Sequence, residues 1–164
     1  MVNLINILIL ILVFAHIGLS GGALPQIWNP EAQHFSIWLM RAFAHGGLLH
    51  LISNLWGLWK VGSLTEDFSI PGLLSLIIFL WIASTIMLYI WNVLFLNNQK
   101  IVIGFSGVLF GLLVVFYYLQ NRDIGETLWT LAPSIIPHLF MPQISFWGHL
   151  FGILSGLLYV KLFQ

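Results

Sequence analysis

Four side chains able to do chemistry, His50, Asn54, Ser106 and His149, lie in stretches whose other residues are almost all apolar. Ser106 stands between glycines in the run IGFSGVLFG, residues 103–111. A serine hydroxyl becomes a useful nucleophile once a neighbouring base takes its proton, and imidazole is the usual base near neutral pH. The pair therefore suggests acyl transfer, with Ser106 attacking a carbonyl and His149 accepting the proton and returning it to the leaving amine. No Asp or Glu lies at the same depth to orient the ring, which implies a dyad whose imidazole is held by packing, Phe110 lying against it one turn below Ser106. The developing oxyanion needs donors, each usually worth a few kcal/mol. His50 and Asn54, four residues apart, project from one helical face and supply a ring N–H and an amide, and the Ser106 backbone N–H supplies a third. For any one of the four the plain alternative is a helix-packing hydrogen bond, whereas their convergence favours a site.

A metal reading of His45 and His50 is weak, because five residues is not the i, i+4 spacing of a helical zinc pair and no acidic ligand accompanies them. No metal and no cofactor are expected. His16, His34 and His138 read as interfacial or packing residues.

The elements that must position these groups follow from composition. Of the 164 residues 60% are hydrophobic and 6% charged. A soluble domain could not hide that much apolar surface, and five basic against five acidic residues leave no field for nucleic acid. Cysteine is absent. Six stretches approach the roughly 20 apolar residues that span a bilayer, at 3–20, 46–63, 71–95, 104–119, 127–141 and 144–160. The charged residues Glu31, Arg41, Lys60, Glu66, Asp67, Lys100, Arg122, Asp123, Glu126 and Lys161 fall in the joints or near segment ends. The expectation is an all-α, polytopic, six-transmembrane-helix bundle forming one membrane domain over 1–164, with a first helix at 1–20, an interfacial loop at 21–45 and helices two to six over 46–163. The first stretch lacks the basic n-region of a signal peptide and reads as a retained helix. The loop interleaves Trp28, Trp38 and Phe43 with polar residues, as a headgroup-zone segment does, an ordinary aromatic-rich loop being the alternative. Lys60, Arg122 and Lys161 on one side against Arg41 and Lys100 on the other put the N-terminus in the cytoplasm.

In such a bundle helices two, four and six enter from the same face, so His50, Asn54, Ser106 and His149 share one depth. Gly107 and Gly111 on the fourth helix, and Gly148, Gly152 and Gly156 on the sixth, make stripes without side chains that let two backbones approach, and His149 lies beside the second stripe. In the fifth stretch Pro133 and Pro137 interrupt the helix and Pro142 ends it. Such a helix suits a lateral gate against the second helix, where Trp56 and Trp59 would pack, or is simply short and tilted.

Taken together, HGGLLHLISNLWGLWKVGSLTE, GFSG and GHLFGILSG resemble the rhomboid intramembrane serine proteases, over about His45 to Gly156. His45, His50, Asn54, Gly62 and Glu66 meet one box of that family, Gly104, Ser106 and Gly107 the serine box, and His149, Gly152 and Gly156 the histidine box. The resemblance implies a Ser106–His149 dyad in a water-filled cavity open to the outer face, oxyanion binding by His50 and Asn54, a first loop lying in the outer leaflet, and single-span membrane proteins as substrates. Glu66 reads as an inner-end structural contact and His45 as support for the loop. The chain departs from the family in three places. Trp38 and Arg41 are three apart where a Trp-Arg dipeptide is common, Phe110 stands where tyrosine is frequent, and no seventh helix follows Lys161. The competing classes are a non-catalytic relative that binds membrane helices, and a small transporter or channel subunit, for which the internal repeat is lacking.

Overall fold

In hydrocarbon an unpaired backbone amide has no water to turn to, so long apolar runs close their hydrogen bonds internally as helices. The computed structural model describes residues 2–22, 24–32, 34–62, 64, 68–95, 101–141 and 144–164. Glu66, Asp67, Lys100 and Pro142 lie outside the described residues. Among those described there are seven α-helices and no strand: α1 (Val2–Ser20), α2 (Phe35–Arg41), α3 (Leu48–Gly62), α4 (Ile70–Phe95), α5 (Ser106–Asn121), α6 (Ile124–Ile135) and α7 (Phe146–Phe163), with 3-10 turns at Pro25–Trp28 and Ile136–Phe140.

Among the described residues two helices, α4 and α7, are long and apolar enough to cross a membrane, and only 33% of each apolar window is buried. The core helix of a soluble protein would be mostly covered. Leu4–Leu19 of α1 and all of α5 are apolar but shorter. The 15 residues of α3 reach about 22 Å at 1.5 Å per residue, short of a hydrocarbon core of about 30 Å.

Helix α5 is the hub, packing most closely on α7 and also on α3, α4 and α6, while α1 lies on α3. Val108, Leu109, Leu112, Val115 and Phe116 of α5 are buried against Leu73, Leu76, Ile77 and Leu80 of α4. The glycine stripes meet where the sequence places them: a Cβ on Gly152 would overlap the Gly107 carbonyl oxygen, and one on Gly156 would lie 2.6 Å from the Gly111 oxygen. Gly62 brings α3 onto α1 in the same way, a Cβ there lying 3.0 Å from Ile5.

Local chemistry sets the ends. Arg122 closes α5 in the left-handed region (φ 57°), and the next residue, Asp123, caps α6 by accepting the Glu126 N–H at 2.7 Å. Pro133 lies inside α6, and the chain tightens to a 3-10 turn around Pro137, whose nitrogen carries no donor. Ser145 caps α7 by accepting the Gly148 N–H at 3.1 Å.

The 21–45 segment is a docked element. Helix α2 packs on α4, Trp81 Nε1 donates to the Leu39 carbonyl at 3.0 Å, and Trp38 is buried at 2% exposure. Arg41, one turn on, sets its guanidinium 4.4 Å from the Trp38 ring and donates to the Ile27 and Asn29 carbonyls at 3.1 and 2.6 Å. Burial brings its pKa down to about 10, so it keeps its charge at neutral pH. The spaced Trp38–Arg41 pair thus anchors the loop without the dipeptide. Trp56 and Trp59 do not sit in a seam with α6. They stack on each other at 5.3 Å beneath Lys60 and are more than half exposed, while α6 packs chiefly on α5.

Candidate active site

Ser106 is the first residue of α5 because of the backbone before it. Gly104 has φ +108°, a left-handed value that costs glycine little, and its N–H donates to the Arg41 carbonyl at 3.0 Å, tying the serine loop to the end of α2. A Cβ on Gly104 would lie 2.6 Å from His50 Nε2, so the position needs glycine for its space as well. The Ser106 N–H falls among the first-turn amides that have no acceptor within the helix, and Phe105 supplies no side-chain cap.

His149 stands in the first turn of α7, on the helix whose backbone meets that of α5 through Gly107 and Gly152. That approach sets His149 Nε2 2.8 Å from Ser106 Oγ. The imidazole is 7% exposed and lies on Phe110, ring centres 4.6 Å apart and planes at 33°, as the spacing suggests.

His50 and Asn54 face the same space from α3. The Gly46 N–H points at His50 Nδ1 at 3.4 Å, which makes Nδ1 the acceptor and leaves the proton on Nε2, the nitrogen beside Gly104. Asn54, 3% exposed, donates one Nδ2 hydrogen to the His50 carbonyl at 2.8 Å, which fixes the amide's orientation because the flipped amide would set oxygen against oxygen. Its Nδ2 also lies 3.8 Å from where a Cβ on Gly104 would stand, and among the described residues its Oδ1 is buried without a partner. His50 Nε2–H, Asn54 Nδ2–H and the Ser106 amide thus form a donor group around the serine loop.

His45 is buried at 1% exposure in the loop before α3, edge-on to both His50 (5.1 Å) and His16 (5.9 Å). With His16, Trp28, Gly46 and Gly47 it lines a cavity of about 300 Å³. Burial, reinforced by the neighbouring His50 and His16, pushes its pKa down to about 4. Among the described residues no group of three His, Cys, Asp or Glu side chains is placed to hold a metal ion.

One residue corrects the sequence reading. His138 is not merely an interfacial or packing residue, for its Nδ1 lies 2.7 Å from His149 Nδ1. The catalytic imidazole candidate is therefore held by a hydrogen bond as well as by packing. The signal was present in the spacing: a histidine ending the fifth apolar stretch and another beginning the sixth, joined by a short turn, must share a depth.

The Rhomboid domain family matches residues 32–164, and the chain belongs to that family. A protein of Acanthamoeba polyphaga mimivirus described as "Putative rhomboid protein L523" is 35% identical over 126 residues, which cover 77% of this chain and 74% of that one. An Arabidopsis thaliana protein described as "Rhomboid-like protein 14, mitochondrial" is 31% identical over 142 residues, covering 75% of this chain but 42% of the relative. No solved structure matches the chain.

Proposed function

We propose that this rhomboid-family protein is an intramembrane serine endopeptidase that cleaves single-span membrane proteins. The observation that carries the reading is the 2.8 Å approach of Ser106 Oγ to His149 Nε2. In the reaction the Ser106 O–H proton passes to His149 Nε2 as Oγ bonds to the scissile carbonyl carbon and the carbonyl electron pair moves to oxygen. His50 Nε2–H, Asn54 Nδ2–H and the Ser106 N–H hold that oxyanion. His149 then gives the proton to the leaving amine as the C–N bond breaks, and water resolves the acyl-enzyme by the same steps. Peptide-bond hydrolysis of this kind draws on no cofactor.

The molecule performing it is a single membrane domain over residues 1–164 with six spans, formed by α1, α3, α4, α5, α6 with its 3-10 turn, and α7. The N-terminus lies in the cytoplasm, the loop carrying α2 lies in the outer leaflet, and the bilayer surrounds exposed side chains such as Phe14, Leu49 and Trp129. Supporting the reading are the three family boxes, the donor group around Ser106, and the Gly107–Gly152 contact that sets the dyad's distance.

A fluorophosphonate that reacts with activated serines tests it. Wild-type protein in detergent is expected to take up the label at Ser106, with Ser106→Ala and His149→Ala unlabelled. A folded wild type that stays unlabelled would favour the alternative, a non-catalytic relative that binds membrane helices.

A further inference from the structure

The 2.7 Å separation between the Nδ1 atoms of His138 and His149 requires one proton between them, because two bare lone pairs would repel and two N–H groups would clash. Ser106 occupies the other nitrogen of the same ring at 2.8 Å. An imidazole serves as base only through an unprotonated Nε2, so its proton must sit on Nδ1, and an Nδ1–H in a site 7% exposed needs an acceptor. Neither α5 nor α7 nor the turn between α6 and α7 contains an Asp or Glu to provide one. His138 Nδ1 provides it.

We infer that His138 is a positioning residue, whose Nδ1 accepts the His149 Nδ1–H and so holds the imidazole in the one tautomer able to take the Ser106 proton; this rests on the protease reading. The fold builds the contact deliberately. Helix α6 gives way at Pro137 to a 3-10 turn, which carries the half-buried His138 over the start of α7. Phe110 touches both rings, tilted against His149 at 4.6 Å and edge-on to His138 at 6.0 Å. With a hydrogen bond on each nitrogen, His149 cannot turn over without losing both, and with His138 Nδ1 as the acceptor its proton stays on Nδ1. Once the Ser106 proton arrives, the same contact becomes charge-assisted and spreads the imidazolium charge toward His138.

The test combines kinetics with a spectroscopic signature. Asparagine places an amide atom where Nδ1 sits, glutamine where Nε2 sits, and phenylalanine keeps the ring without nitrogen. On a single-span substrate in liposomes, His138→Phe and His138→Gln are expected to lower kcat by roughly 10- to 100-fold with KM nearly unchanged, and His138→Asn to recover to within about threefold of wild type. In full-length protein with 15N-labelled histidine, a scalar coupling between the two Nδ1 nuclei is expected, lost in all three variants. Ser106-dependent cleavage that His138→Phe leaves at the wild-type kcat overturns the inference, as does a wild-type spectrum without the coupling, even where a variant fails to fold. Cleavage that survives Ser106→Ala overturns the protease reading instead, and the coupling still reports whether the two rings share a proton.

Discussion

At the scale of single residues, the oxyanion donors make the sharpest demand. Asn54 holds its amide by one hydrogen to its own helix, and in the proposed reaction the other binds the oxyanion. Asn54→Ala should therefore lower kcat by about 100-fold, leave KM nearly unchanged and leave thermal stability close to wild type, as read from initial rates and a melting curve. Gly104→Ala meets two obstacles at once, a backbone at φ +108° and a Cβ 2.6 Å from His50 Nε2. The variant is expected to be less stable, because moving the His50 ring leaves the backbone strain in place, and to lose most of its phosphonate labelling, because the displaced ring is a donor. Ser106, His149, His50 and Asn54 were legible in the sequence since each is a polar intruder in an apolar run. His138 was legible only as a depth, from its place at the end of the fifth apolar stretch, and not as a partner of His149, because a carboxylate is the usual group to orient an imidazole and a second neutral imidazole does the same hydrogen-bonding work without a charge to bury.

Among elements, the α5–α7 seam decides whether the dyad exists. Gly152 has the Gly107 carbonyl where a Cβ would go, so Gly152→Ala must push the helices apart. It should lower stability by about 1–3 kcal/mol, read in denaturant, and slow labelling of Ser106 more than the small volume change suggests, since Ser106 and His149 ride on the separated helices. Repeated glycines four apart made this seam readable without coordinates. The place of Trp56 and Trp59 was not readable, because tryptophan on an apolar helix serves a packed interface and an exposed face equally well, and both stand on an exposed face beneath Lys60. The gate therefore has to be tested as motion of α6 itself. With no native cysteine, a bis-maleimide bridge between Trp56→Cys on α3 and Trp129→Cys on α6 is specific. It should abolish cleavage of a membrane substrate while the small phosphonate still labels Ser106, and undiminished cleavage would dismiss the gate.

Over the whole molecule, composition announced an all-α membrane protein, but not how many helices are long enough to cross. Helix α3 ends at Gly62, and α6, with Pro133 inside it, gives way after Ile135 to the 3-10 turn that holds Pro137. The buried His45 makes the loop-to-bundle junction sensitive to acid. Its pKa falls from 6.5 to about 4 on folding, so between those values the unfolded chain binds more protons than the folded one. The share of stability that His45 contributes should be full above pH 6.5 and fall by at most about 3 kcal/mol as pH approaches 4, so His45→Phe should show less decline than wild type when melting is followed across that range. The central claim, that Ser106 cuts peptide bonds inside a bilayer, is met most directly by reconstituting wild type and Ser106→Ala with a panel of single-span proteins and mapping product termini by mass spectrometry. The account predicts wild-type cleavage within or beside the membrane segment and none by the variant; equal cleavage by both, or none by a wild type that the phosphonate labels, would contradict it.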